Sequence, residues 1–172
     1  MLAFAMTAFS AIFSVVDPLG VVPVYIAMTA DDSPEHKRRT ALRASLTMAI
    51  ALTVFAALGS YILKFFGISI GAFRVAGGIL LFLLAVDMLR AQQSRQRSTP
   101  EEEREGREKP DISVFPLAIP MLSGPGSFAT VMVLVSRAHN IWEQMFVGAA
   151  IVVTAAITFV ILIFSSAAAR RL

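Results

Sequence analysis

An aspartate followed by a proline interrupts the first apolar segment of the chain, residues 2–30, and this interruption constrains the fold more than any other feature. About 20 apolar residues are enough for a helix to cross the hydrocarbon layer of a membrane. A carboxylate at that depth costs roughly 3 kcal/mol on insertion scales, so it normally faces protein or a water-filled cavity. Proline lacks an amide hydrogen and clashes with the preceding turn. The sequence therefore predicts that one helix ends near Val16 and that a half-helix, capped by Asp17, begins at Pro18 inside the membrane.

A second interruption lies in a later apolar segment, at residues 120–127. Either Ser123 or Gly124 is placed to cap a half-helix there, and Pro125 is suited to its first position. Ser127 adds a hydroxyl group to the first turn. Paired spans that glycine and proline interrupt are the best sequence indication of a transporter binding site.

The two interruptions align in two ways, and the sequence leaves both open. In one alignment Pro18 matches Pro125, so that the residue before each proline takes the cap position. In the other, Pro18 matches Pro120.

The groups at the two interruptions suit a zwitterionic substrate. Asp17 could pair with an ammonium group or carry a coupling sodium ion or proton; the alternative is that it only caps the half-helix. Backbone amides at half-helix N-termini could bind a carboxylate; the alternative is simple kinking by proline. The first alternatives together predict an amino-acid site. Its candidate substrate-binding residues are Asp17, Pro18, Leu19, Gly20, Ser123, Gly124, Pro125, Gly126 and Ser127, with Asp17 also the ion-coupling candidate.

Composition indicates an all-α, polytopic transmembrane helix bundle, because 56% of the residues are hydrophobic and the mean hydropathy is +0.72. The absence of cysteine excludes disulfides and thiolate chemistry. The histidines, His36 and His139, lie in separate loops without metal-ligand spacing, so we predict no metal site and no cofactor beyond a coupling Na⁺ or H⁺. The net charge of +3 is better explained by membrane topology than by nucleic-acid binding.

The apolar segments predict five membrane spans in two unequal parts. Residues 1–90 form a first three-span repeat, 91–113 a charged cytoplasmic linker, and 114–172 a second repeat with only two spans. Because three crossings reverse direction, the second repeat would be an inverted copy of the first, with broken helices in spans one and four. The sixth span is then missing from this chain, through truncation or because a sister chain supplies the packing surface. The predicted spans are residues 2–30, 40–66, 72–89, 112–137 and 141–169.

The distribution of basic residues predicts the orientation. With the N-terminus outside, twelve of the fifteen Lys and Arg residues lie in cytoplasmic segments. Cytoplasmic loops of membrane proteins carry an excess of Lys and Arg, so the N-terminus is predicted to be outside. Arg74 lies near the outer end of span three, where its side chain is expected to reach the interface.

Three stretches of the chain resemble the MarC family of bacterial integral membrane proteins, an uncharacterised protein family. They are FSVVDPLGVVP at residues 13–23, FRVAGGILL at 73–81 with Asp87-Met88-Leu89, and FPLAIP at 115–120 with SGPG at 123–126. Members of that family usually have six spans, and this chain departs from the pattern by lacking the last. The resemblance implies a multi-pass protein of the bacterial inner membrane, related to the amino-acid exporter superfamily.

The resemblance further implies transport of small neutral amino acids, such as alanine, glycine or serine, and together with the paired helix breaks this predicts ion-coupled alternating access. The expected partners are the lipid bilayer, a small-molecule substrate and, in one reading, further copies of the chain. The alternatives are a non-transporting membrane scaffold and a drug or metabolite exporter. An intramembrane enzyme is not expected, because Asp17 has no partner acid, metal cluster or nucleophile–base pair at its depth; Asp87 lies near a membrane face.

Overall fold

A computed structural model describes residues 1–89 and 111–169 of the chain. These residues fold into helical segments and include no strand. In chain order the segments are α1 (Leu2–Val16), α2 (Pro18–Met28), α3 (Pro34–Phe65), α4 (Ile70–Leu89), α5 (Ser113–Leu122), α6 (Pro125–Arg137) and α7 (Ile141–Ala169). Most of the predicted charged linker, residues 91–113, lies outside the described residues.

The first predicted span is broken where the sequence indicated. Helix α1 ends at Val16, Asp17 stands between the helices, and α2 begins with Pro18 at its first position. The two helices together make one apolar segment of 27 residues, Leu2–Met28, which is long enough to cross a membrane. The prediction of a helix break at Asp17-Pro18 is confirmed.

Helix α3 is longer than the predicted second span. Its N-cap is Ser33, whose Oγ accepts a hydrogen bond from the His36 amide at 3.2 Å, and Pro34 occupies the first helical position. A serine cap followed by proline starts a helix whether or not the next residues are apolar. The polar turns before residue 40 therefore belong to the same helix as the apolar span.

The fourth predicted span is broken over a longer stretch than the sequence indicated. Segment α5 has wide, π-type turns, and Phe115 and Ile119 within it have extended backbone angles. Both precede prolines, Pro116 and Pro120, through cis peptide bonds. A residue before proline is pushed towards extended conformations, and proline supplies no amide for a helical hydrogen bond. The predicted break at residues 123–126 is present, but the irregular backbone begins well before it. Segment α5 then meets α6 at an angle of 59°.

Helix α7 packs against α1, α2, α3 and α6. Helix α3 also packs against α5 and α6, and the contact between α3 and α7 is the most extensive in the described chain. Small residues on α3 allow its neighbours to pack closely: Ala41, Ala44 and Ser45 are all buried. The buried core includes residues from both broken segments, among them Val16 and Leu122.

Helix α4 lies at the edge of the bundle and packs against α6. Gly77 allows this approach, because a Cβ atom placed on it would lie 2.9 Å from the Cβ of Ala129. The neighbouring Gly78 has open space around it. Gly77 therefore serves helix packing, as small residues commonly do between transmembrane helices.

Three helical segments of the described chain are long and apolar enough to span a membrane, and a fourth span is obtained if α5 and α6 count as one. These are Leu2–Met28, Pro34–Phe65, Ile141–Ala167 and the bent pair. The predicted third span corresponds to α4, Ile70–Leu89, within which Ile70–Leu83 is an apolar helical stretch.

Candidate functional site

The first break is made by one residue that ends one helix and begins the next. The backbone of Asp17 has a left-handed conformation, with φ 45° and ψ 67°. Its amide donates to the carbonyl oxygen of Phe13 at 2.9 Å, which closes α1. Its Oδ1 accepts from the Gly20 amide at 3.1 Å, which caps α2. Aspartate is one of the few residues with a Cβ that tolerates this backbone conformation, because its short polar side chain bonds locally. Asp17 therefore has the capping role that the sequence allowed.

Burial differs sharply among the residues at this break. Pro18 is buried, Asp17 is partly buried, and Leu19 and Gly20 are exposed. The Gly20 amide, which was a candidate for binding a carboxylate, already donates to the Oδ1 and backbone oxygen of Asp17. At this break the Asp17 carboxylate therefore already bonds the nearest backbone amide, that of Gly20.

The second break has no side-chain cap. Gly124 is the N-cap of α6 and Pro125 takes the first helical position. Ser123, the other candidate cap, is buried and turns back towards α5, where its Oγ donates to the Ala118 carbonyl at 2.7 Å. The Ser123 amide donates to that same oxygen at 2.8 Å. The capping position thus belongs to Gly124, and the serine hydroxyl closes the end of α5.

The first turn of α6 leaves backbone amides at its start. Pro125 has no amide hydrogen, and the first amide bonded within the helix is that of Phe128, which donates to the Gly124 oxygen at 3.1 Å. The amides of Gly126 and Ser127 lie between them in the chain. The Ser127 hydroxyl is buried and donates to the Leu122 carbonyl at 3.3 Å. Unbonded amides at a helix start give it partial positive charge.

The structure distinguishes between the two alignments of the breaks. Pro18 and Pro125 both occupy the first position of a helix, directly after a cap residue. Pro120 instead lies inside α5. By this criterion Pro18 corresponds to Pro125, and Asp17 corresponds to Gly124.

The two broken segments lie side by side in a crosswise arrangement. Helix α1, before the first break, packs against α6, which follows the second break. Helix α2, after the first break, packs against α5, which precedes the second. Each half thus contacts the opposite half of the other segment, so the two segments run in opposite directions past one another.

A pair of charged residues that the sequence did not single out joins the start of α5 to α3. Arg43 donates from Nη1 to Asp111 Oδ2 at 2.6 Å. Asp111 Oδ1 accepts from the amide and the hydroxyl of Ser113, at 2.9 and 2.5 Å. These bonds with Ser113, and then the bond and charge of Arg43, lower the pKa of the Asp111 carboxyl below its ordinary value. The only indication of this contact in the sequence is an aspartate, Asp111, two residues before a serine at the start of α5. Because Asp111 stands at the end of a highly charged segment, the sequence does not single it out.

A multi-pass bundle of apolar helices, two of them interrupted by proline, places this chain among the integral membrane proteins. Residues 2–172 match the family described as MarC family integral membrane protein. The chain belongs to that family.

Several relatives support the assignment. The chain is 40% identical to a UPF0056 membrane protein of Methanocaldococcus jannaschii over 99% of this chain and 83% of the relative. It is 35% identical to the UPF0056 membrane protein YvbG of Bacillus subtilis over 100% of this chain and 82% of the relative. It is 38% identical to the UPF0056 membrane protein YhcE of Escherichia coli over 77% of this chain and 62% of the relative. No solved structure matches the chain.

Proposed function

We propose that this MarC-family protein is a transporter that moves small neutral amino acids by ion-coupled alternating access, with its substrate site between the two helix breaks. The observation that carries the proposal is the crosswise packing of the broken segments, α1 on α6 and α2 on α5. Inverted repeats related by an axis in the membrane plane bring their broken helices together in this antiparallel manner, with the substrate at the breaks. The shared position of Pro18 and Pro125 after a cap supports the same relationship.

The two breaks offer complementary charges. Asp17 supplies a partly buried carboxylate, which suits a substrate ammonium group or a coupling sodium ion or proton. The start of α6 supplies the amides of Gly126 and Ser127, which suit a substrate carboxylate. Between a carboxylate and an amide-rich helix start, an α-amino acid has a partner for each of its charged groups. Small buried or partly buried residues at the second break, Gly124 and Gly126, favour a short side chain.

The membrane context of the proposal follows from the sequence. The proposed location is the bacterial inner membrane, in line with the family resemblance, and the distribution of basic residues supports an N-terminus outside. The proposed transport needs no enzyme chemistry and no cofactor other than the coupling ion.

The test is uptake of labelled alanine, glycine and serine into proteoliposomes, with and without sodium and proton gradients. Asp17→Asn is the informative variant, because asparagine caps helices as well as aspartate and also tolerates the left-handed conformation. It removes the charge and keeps the break. We expect uptake to fall at least about tenfold, as expected when one partner of a buried charge pair is removed. Asp111→Asn is the matched control, and its uptake should stay within about twofold, since the pair with Arg43 is exposed.

Two outcomes would contradict the proposal. Unchanged uptake by Asp17→Asn would leave Asp17 as a cap alone and remove it from the site. Absence of uptake across a broad panel of amino acids, drugs and metabolites, by this chain and by a relative of full length, would favour a membrane scaffold.

A further inference from the structure

A cavity of about 200 Å³ lies at one end of the bundle, apart from the helix breaks. It is formed where α3 ends and α4 begins, and where α6 ends and α7 begins. On the predicted topology this is the outer end. Apolar side chains make up most of its wall, and polar groups come from three residues. The lining includes Leu63, Phe73, Met132, Ser60, Ser136 and Gln144.

An arginine next to this cavity is bonded to one of its lining residues. Arg74, on α4, donates from Nη2 to the Ser136 hydroxyl at 2.8 Å, across the contact between α4 and α6. Ser136 in turn donates to the Val133 carbonyl at 2.8 Å, and both Ser136 and Val133 line the cavity. Arg74 itself is exposed and is not among the lining residues, so its bond to Ser136 holds the guanidinium beside the cavity.

The charge of Arg74 has no carboxylate partner within the described part of the chain. The ion pairs found there involve other basic residues, and none of the residues lining the cavity is Asp or Glu. A guanidinium is always charged and has five N–H donors, of which Ser136 accepts one. Its geometry matches a carboxylate bound through two oxygens. The cavity thus combines an apolar wall with one positive group beside it.

We propose that this cavity binds a short apolar monocarboxylate, with Arg74 as the partner of its carboxylate group. A cavity of 150 Å³ holds benzene, so about 200 Å³ suits a ligand of roughly seven or eight heavy atoms. With no lining carboxylate, the cavity lacks a partner for an ammonium group. It therefore selects a different ligand from the zwitterion site proposed at the breaks. The inference does not rest on transport, because it concerns binding alone.

Gly59 is a position where a substitution would change the space in the cavity. Met132 lines the cavity and also packs against Gly59, where a Cβ atom would lie 2.6 Å from both its Cγ and its Cε. The added methyl group of Gly59→Ala would displace Met132, because a methionine side chain is flexible. The open space beside Met132 is the cavity, so the displaced side chain would reduce it. Gly78→Ala is the matched control, since a Cβ atom at Gly78 meets nothing within 4 Å.

The experiment is calorimetric titration of the full chain in detergent micelles with 3-methylbutanoate and with the neutral amide of the same shape, 3-methylbutanamide. We expect a dissociation constant on the order of 1 mM for the acid, as for a good ligand of this size. The amide should bind at least about tenfold more weakly, because it lacks the charge that Arg74 recognises. Octanoate tests whether the cavity binds a lipid acyl chain instead of a short soluble acid. If the cavity limits the length of its ligand, octanoate should bind no more tightly than 3-methylbutanoate.

Variants then assign the binding to this cavity. Arg74→Gln should weaken binding of the acid at least about tenfold and Arg74→Lys less so, since lysine keeps the charge but not the two-point geometry. Gly59→Ala should weaken binding while Gly78→Ala leaves it unchanged. Circular dichroism and the thermal midpoint of each variant separate loss of binding from loss of folding. Equal binding of acid and amide, unchanged binding by a folded Arg74→Gln, no binding at all, or much tighter binding of octanoate would each overturn the proposal. None of these results would alter the expected outcome of the uptake assay.

Discussion

The two helix breaks differ in how they bond the backbone polar groups at the helix ends. At the first, one residue ends α1 and caps α2, and the two helices remain a single apolar segment of 27 residues. At the second, the cap is a glycine, the preceding segment is irregular over ten residues, and the bend is 59°. A side chain that bonds the next turn confines a break to one residue. At the second break no side chain caps α6, and the prolines of α5 leave its backbone irregular.

The two breaks also differ in the polar groups that they present. The first presents the Asp17 carboxylate, with the Gly20 amide already bonded to it. The second presents the amides of Gly126 and Ser127, while the hydroxyls of Ser123 and Ser127 are turned back onto carbonyls of α5. One break therefore offers negative charge and the other offers partial positive charge. Substitutions at the two breaks are accordingly expected to differ in both kind and size of effect.

The largest effect on stability is expected at the first break. Asp17→Ala removes the cap and places alanine in a left-handed backbone conformation. We expect the free energy of unfolding to fall by about 2 kcal/mol, from roughly 1 kcal/mol for each loss. Asp17→Asn should stay within about 0.5 kcal/mol of the unmutated protein, because asparagine satisfies both requirements. Unfolding by SDS in mixed micelles measures both variants. An equal loss in the two would mean that the charge of Asp17, and not its cap, holds the break.

A smaller effect is expected at the second break. Ser123→Ala removes a buried hydroxyl that donates to the Ala118 carbonyl, but that oxygen keeps the bond from the Ser123 amide. We therefore expect a loss of about 1 kcal/mol, typical of one intramolecular hydrogen bond. The same unfolding titration applies, with Ser10→Ala on the exposed side of α1 as the control. A loss as large as that of Asp17→Ala would contradict the view that this break is held by many backbone groups.

The smallest effect is expected from pH, at the start of α5. Ser113 and Arg43 lower the pKa of Asp111 below its ordinary value of 3.8, so the ionised carboxyl favours the folded state. This contribution is fully present above the ordinary pKa and is lost as the pH falls through the lowered pKa of the folded protein. The thermal midpoint of the unmutated protein should fall more than that of Asp111→Asn between about pH 5 and pH 3. Parallel curves for the two proteins would show that the Asp111 bonds contribute nothing measurable.

The parts of the fold that sequence predicted well depend on local chemistry. Asp17-Pro18 places a cap before a proline, and the helix start lies where that pattern predicts; Ser33-Pro34 starts α3 by the same chemistry. The second break was located, but its cap was left undecided between Ser123 and Gly124. That choice depends on whether the serine hydroxyl bonds forwards to α6 or back to α5, and packing decides it. The irregular backbone of α5 was missed, although its two prolines were visible.

The contacts that the sequence could not predict join distant residues. Arg43 and Asp111 are 68 positions apart, and Arg74 and Ser136 are 62 apart. No periodicity links such pairs, because their meeting depends on how α3 packs on α5 and how α4 packs on α6. For the same reason, the sequence does not predict the crosswise contact of the broken segments. The cavity beside Arg74 had no sequence signal beyond an arginine near a membrane interface.

The measurement that tests the central claim most directly is substrate protection of single cysteines at the two breaks, which the absence of native cysteine makes possible. Leu19→Cys reports on the first break, Gly126→Cys on the second, and His139→Cys, in an exposed turn, serves as the unprotected control. If the breaks form one site, alanine will slow labelling at both positions with the same concentration dependence and leave His139→Cys unchanged. Protection at one break alone, or at neither while uptake persists, would contradict a substrate site shared between them.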